Sequence, residues 1–169
     1  MKVFVGCSSR DEIAEEYLQL ASFVGKLLQN NELVIGGTCV GMMGRVAKEV
    51  NKTQLTQIVL ADYVIEGAQK TEHFYVCETS FERMKQIWDQ SDLFLFLPGG
   101  TGTLGEIITF LEENRAKKQK KKIIVFNYEH YYDDVFAFIE KAKQNCFSNE
   151  EILEGITFIT SLKDLEEIL

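Results

Sequence analysis

Five consecutive apolar residues, Leu93 to Leu97, run without a polar break and stop abruptly at Pro98-Gly99-Gly100. A continuous apolar run of that length suits a strand buried on both faces, which a parallel sheet provides. The rest of the chain repeats the theme, alternating short apolar runs with amphipathic stretches, the pattern of βα units. Strands are predicted over Lys2 to Gly6, Leu33 to Ile35, Gln57 to Leu60, Phe74 to Cys77, Leu93 to Leu97, Ile123 to Phe126 and Ile156 to Ile159. Helices are predicted over Glu12 to Asn30, Met42 to Asn51, Ser80 to Gln90 with Ser80 as N-cap, Thr103 to Lys118, Tyr132 to Gln144 and Leu162 to Leu169. Asp62 to Glu72 shows no period and reads as a loop. The expected fold is α/β, a Rossmann-like doubly wound parallel sheet forming a single domain over residues 1–169.

In such sheets, ligands bind beyond the carboxyl ends of the strands. Three loops there are rich in small residues: Gly6-Cys7-Ser8-Ser9, Gly36-Gly37 through Gly41-Met42-Met43-Gly44, and Pro98-Gly99-Gly100-Thr101-Gly102-Thr103. Glycine lets backbone N–H groups approach an anion, and the helix after each loop aims its positive end at the same place. One such loop reads equally well as a tight turn; three together favour phosphate binding. No Gly-Lys-Ser/Thr follows any of them, so none is a Walker loop, and no GxGxxG follows the first strand. Glu106 follows Thr103 by one helical turn, and Arg83 lies near the start of the helix before the Leu93 strand. Glu106 is either an acid favoured by the helix dipole or a reacting carboxylate, and Arg83 is either a surface ion-pair member or a ligand contact; spacing does not choose.

Charge narrows the partners. The formal net charge is −8, which argues against general nucleic-acid binding. The run Lys117, Lys118, Lys120, Lys121 and Lys122 reads as a solvated helix end. The four cysteines are widely spaced with no CxxC pair, and the chain has only two histidines, His73 and His130, so a zinc site is not expected. Reduced thiols, no signal-peptide pattern and no apolar stretch of membrane-spanning length fit a cytoplasmic protein without a membrane partner. Trp88, Phe94, Phe96 and Phe110 read as core rather than as base-stacking residues. Tyr128, Tyr131 and Tyr132 cluster after the Ile123 strand, where they pack a loop or a dimer contact.

The stretch Pro98-Gly99-Gly100-Thr101-Gly102-Thr103-Leu104-Gly105-Glu106 resembles the PGGxGTxxE motif of the LOG-type proteins, cytokinin riboside 5'-monophosphate phosphoribohydrolases often labelled lysine decarboxylases. Gly36-Gly37 with Gly41-Met42-Met43-Gly44 resembles that family's GGxxxGLMG loop, Cys7-Ser8-Ser9 its first-strand loop, and Glu82-Arg83 its arginine segment. The resemblance covers residues 1 to about 145. It implies a homodimer that hydrolyses the N-glycosidic bond of a nucleoside 5'-monophosphate to free base and ribose 5-phosphate, without cofactor or metal. It makes Arg83 and Glu106 the catalytic pair. It assigns phosphate and nucleotide binding to Gly6, Ser8, Ser9, Gly36, Gly37, Gly41, Met43, Gly44, Gly99, Gly100, Thr101, Gly102 and Thr103. The chain departs from the family at Met84, where a lysine usually follows the arginine, and at Gly105, where an acid often precedes the glutamate. A purine, pyrimidine or cytokinin base all stay open, with Glu66 a further candidate contact. The alternative is a non-catalytic nucleotide-binding or molybdenum-cofactor carrier protein, which needs no Arg–Glu pair. The decarboxylase label fails on chemistry: a pyridoxal-phosphate enzyme needs a Schiff-base lysine, and no lysine sits in a suggestive strand-end loop.

Overall fold

The computed structural model describes residues 1–37, 40–63, 71–117, 120–148 and 155–169. Strands β1 (Lys2–Gly6), β2 (Glu32–Ile35), β3 (Leu55–Leu60), β4 (His73–Cys77), β5 (Leu93–Phe96), β6 (Lys122–Phe126) and β7 (Ile156–Ile159) alternate with helices α1 (Glu15–Leu27), α2 (Gly41–Lys48), α3 (Ser80–Gln90), α4 (Thr101–Ala116), α5 (Asp133–Gln144) and α6 (Leu162–Ile168). Among the described residues the seven strands form one sheet in the order β4-β3-β2-β1-β5-β6-β7, and every pairing is parallel. Parallel pairing forces each connection to cross a face of the sheet, so helices cover both sides. The doubly wound α/β fold expected from the alternation is the one observed.

The strand residues alternate between two cores. Val3, Val5, Leu33, Ile35, Leu93 and Leu95 point to one face, where they meet Val24 of α1, Val46 of α2 and Leu165 of α6. Phe4, Val34, Ile58, Phe94 and Phe96 point to the other, against Ile87 and Trp88 of α3, Phe110 of α4 and Ile139 of α5. Trp88, Phe94, Phe96 and Phe110 are therefore core, as their positions suggested; Phe94 and Phe110 approach to 4.7 Å between ring centroids.

Several boundaries differ from the sequence reading, each for a local reason. Helix α1 starts at Glu15 rather than Glu12, because Asp11 instead accepts a 2.8 Å hydrogen bond from the Gly41 N–H. It ends at Leu27 rather than Asn30, and the Asn31 N–H closes a turn onto the Leu28 carbonyl. Helix α2 ends at Lys48 rather than Asn51, because the Asn51 side chain caps the 3-10 turn Lys52–Gln54 by accepting from the Thr53 N–H. The cap of α3 is Thr79, not Ser80: its hydroxyl accepts from the Glu82 N–H at 3.2 Å. Helix α4 begins at Thr101, two residues before the predicted start, and strand β3 begins at Leu55 rather than Gln57. Only part of the basic run behaves as a solvated helix end: the Lys120 amine donates to the Asn114 and Arg115 carbonyls at the close of α4, whereas the Lys121 amine turns inward onto the Trp88 and Ser91 carbonyls, Lys122 opens β6, and Lys118 lies outside the described residues.

Helices α1 and α2 pack at glycine distance. A Cβ on Gly25 would lie 2.7 Å from the Val46 carbonyl oxygen. Alanine is better than glycine in a helix by about 1 kcal/mol, but overpacking against backbone costs about 1–3 kcal/mol. Steric cost wins, so Gly25→Ala lowers stability by about 1 kcal/mol or more in urea melts. A more stable variant would show that the two helices separate freely.

Candidate active site

The strand order turns at β1: β2 lies on one side of it and β5 on the other. The loops leaving β1 and β5 therefore diverge to opposite faces and leave a crevice, where open α/β sheets place ligands. Two hydrogen bonds tie its walls together. The Leu97 N–H donates to the Gly6 carbonyl at 2.9 Å, and the Ser8 N–H donates to the Pro98 carbonyl at 3.2 Å. The resulting cleft has a volume of about 890 Å³.

Of the sequence candidates, Ser8, Ser9, Gly36, Met43, Arg83, Gly100, Thr101, Gly102, Thr103 and Glu106 line this cleft. Gly6, Gly37, Gly41, Gly44 and Gly99 do not; most support the wall from behind. A Cβ on Gly6 would meet the Phe96 ring at 2.6 Å and the Glu106 Oε2 at 3.0 Å, so its absence lets Glu106 reach the sheet end. Gly41 takes φ +60°, and a Cβ there would strike the Ser9–Arg10 backbone at 2.6 Å. A Cβ on Gly99 would lie 2.2 Å from Thr103 Oγ1. Arg10, Asp11 and Glu12 also line the cleft and were not singled out from sequence. Glu66 lies outside the described residues, as does most of the Asp62 to Glu72 stretch.

Two helix N-termini border the cleft, and they differ. That of α2 is closed by the Asp11 carboxylate on the Gly41 N–H. That of α4 begins at Gly100-Thr101 with no side-chain cap and no acid in its first turn. Nothing would touch a Cβ on Gly100 or Gly102, so this end of α4 faces open space. The exposed N–H groups and the helix dipole make it the cleft's natural anion position.

Deeper in, Arg83 and Glu106 meet. Arg83 Nη2 lies 3.1 Å from Glu106 Oε1. The guanidinium is fixed by two further bonds at 3.2 Å, from Nε to the Ile58 carbonyl and from Nη2 to the Gly36 carbonyl. Gly36 is obligatory here, because a Cβ would fall 1.9 Å from Nη2. Burial pushes the Glu106 carboxyl above the usual carboxylate range, and the nearby Arg83 charge only partly offsets that push. The same burial, aided by the Glu106 charge, holds Cys7 as a neutral thiol, which leaves it unfit as a nucleophile. The arrangement is a buried carboxylate, held by an arginine, beside an open anion position.

A family model described as possible lysine decarboxylase matches residues 26–169. The probable cytokinin riboside 5'-monophosphate phosphoribohydrolase LOGL6 of Oryza sativa subsp. japonica is 30% identical over 175 residues, covering 99% of this chain and 70% of that protein. The cytokinin riboside 5'-monophosphate phosphoribohydrolase LOG2 of Arabidopsis thaliana is 31% identical over 153 residues, covering 86% of this chain and 70% of that protein. Among solved structures, the molybdenum cofactor carrier protein of Chlamydomonas reinhardtii superposes with a TM-score of 0.69 at 15% identity, covering 99% of this chain and 94% of that one. The molybdenum cofactor binding protein of Rippkaea orientalis gives 0.65 at 18% identity, covering 99% and 92%. At those identities the solved structures speak to the fold alone. Similarity over nearly the whole chain to the plant phosphoribohydrolases, together with the family-model match, makes this chain a member of the LOG family.

Proposed function

We infer that the protein hydrolyses the N-glycosidic bond of a nucleoside 5'-monophosphate, releasing the base and ribose 5-phosphate. The observation that carries this reading is the buried Arg83–Glu106 pair beside the uncapped start of α4. The 5'-phosphate sits at Gly100 to Thr103, with Ser8 and Ser9 on the facing wall. Glycosidic cleavage builds oxocarbenium-like charge on the sugar, and Glu106 supplies a carboxylate to stabilise it. Water then adds its oxygen to the anomeric carbon as the C–N bond breaks; the proton it loses passes to Glu106 and from there, through solvent, to the nitrogen of the departing base. Arg83 orients the carboxylate and favours its ionised form against the push of burial. The phosphoribohydrolase activity of the plant relatives supports the same reaction.

A carrier role like that of the molybdenum cofactor carrier protein of Chlamydomonas reinhardtii gives the Arg83–Glu106 pair no task. Homodimerisation is supported by exposed apolar side chains on one edge: Tyr75 and Val76 of β4, and Phe81 of α3, which is 87% exposed. A cytoplasmic setting is supported by free Cys7 and Cys77, both buried; no described helix is long and apolar enough to cross a membrane.

The test is base release from purine, pyrimidine and cytokinin nucleoside 5'-monophosphates, each beside its unphosphorylated nucleoside. Release from at least one monophosphate is expected with a kcat/KM about 100-fold or more above that of the nucleoside, because the nucleoside lacks the phosphate's binding energy. Tight binding without release from any of them favours the carrier.

A further inference from the structure

The tyrosine cluster after β6 has a use beyond packing. Tyr131 Oη donates a 2.8 Å hydrogen bond to the Gly99 carbonyl, and Tyr132 Oη donates one of equal length to the Leu97 carbonyl. With the Ser8 N–H on the Pro98 carbonyl, three successive carbonyls of the loop before α4 are each turned onto a protein donor. A carbonyl oxygen left facing the start of α4 would repel an anion there. In a trans peptide the C=O and N–H point opposite ways. Fixing the Gly99 carbonyl on Tyr131 therefore directs the Gly100 N–H away from that ring, and Gly100 lines the cleft.

The chain goes to some trouble to place these rings. Glu129 and His130 both adopt left-handed backbone, at φ 47° and 62°, a conformation that costs non-glycine residues about 1 kcal/mol or more each. Asn127 then locks the turn, accepting from the Tyr132 N–H at 2.6 Å and donating to Asp133 Oδ1 at 2.7 Å. Burial keeps the Tyr132 phenol protonated, so it stays a donor. The Tyr131 ring is braced edge-on by Tyr132 and Tyr17, at 5.0 and 6.2 Å between centroids.

We propose that Tyr131, supported by Tyr132, is a positioning residue that holds the Gly99–Gly100 peptide with its N–H available to the substrate's 5'-phosphate. This rests on the phosphate placement given under Proposed function. The probe is ribose 5-phosphate, titrated calorimetrically into wild type, Tyr131→Phe and Tyr17→Phe. Tyr131→Phe keeps the ring and loses only the hydroxyl. One hydrogen bond's loss translates to about a fivefold to tenfold weaker affinity. KM for the accepted monophosphate rises by a similar factor with kcat nearly constant. Tyr17→Phe, which removes a hydroxyl from the same ring cluster, binds like wild type. Wild-type affinity in Tyr131→Phe, or an equal loss in Tyr17→Phe, overturns the positioning role while leaving the phosphate reading intact. Absence of ribose 5-phosphate binding to wild type overturns the phosphate placement, and the positioning role with it. Should Tyr131→Phe lose its fold, the Gly100 amide resonance of wild type, followed while ribose 5-phosphate is added, decides the point: a shift at saturation is expected, and an unmoved resonance overturns the role.

Discussion

Replacing Glu106 by glutamine is expected to reduce base release by about 10²–10⁴-fold, the range for loss of a positioned acid–base group, while leaving affinity for the intact monophosphate nearly unchanged. The amide keeps the volume and an oxygen able to accept from Arg83, so the change is one of charge. Stability should move the other way. The folded carboxyl titrates above its ordinary range, because burial outweighs the Arg83 charge. A group raised in this way favours folding only when protonated; that contribution is lost as pH rises through its folded pKa. At neutral pH that contribution is diminished, so the raised carboxyl works against folding there and Glu106→Gln should melt higher than wild type. The gap should close as the pH falls into the ordinary carboxylate range. Wild-type activity should also fade on acidification at a higher pH than an unperturbed carboxylate would dictate. Melting curves of both proteins across pH 4–8 check the sign; a glutamine variant that melts lower throughout would mean that the Arg83 pairing, not burial, governs the site.

This opposition between stability and activity bears on what sequence can reveal. The βα alternation is a local signal, since each strand and helix face is written in neighbouring residues, and the element order followed from it. Element ends were harder to read because distant partners decide them. Asp11 leaves the α1 start to hold Gly41, thirty residues away, and Thr79 rather than Ser80 reaches the Glu82 N–H. The early start of α4 matters most for the site, since it turns Thr101 to Thr103 from a loop into a helix's first turn. Arg83 and Glu106 are 23 positions apart; only the motif resemblance linked them, because their meeting depends on the β1–β5 turn in strand order. Tyr131 and Tyr132 were visible as a cluster, but their bonds to Gly99 and Leu97 span 32 and 35 positions and leave no local trace.

Gly36→Ala should separate the pair without touching either member. The added Cβ would fall 1.9 Å from Arg83 Nη2, and the yielding partner is the end of a long side chain rather than backbone. The guanidinium must therefore shift by more than 1 Å, giving up its bonds to the Gly36 carbonyl and Glu106. Misplacement on that scale costs about 10²-fold in rate, so turnover should fall about 100-fold while the fold survives. Glu106 then loses the one charge that opposes its burial, and its carboxyl rises further. The acid limb of the pH–rate profile should move to higher pH in Gly36→Ala than in wild type. Arg83→Gln should reproduce both effects, and the double variant should be little worse than either single one, because both changes break the same contact. Additive losses would show that Gly36 acts on turnover by some route other than Arg83, and an unmoved acid limb would show that Arg83 does not govern the charge on Glu106.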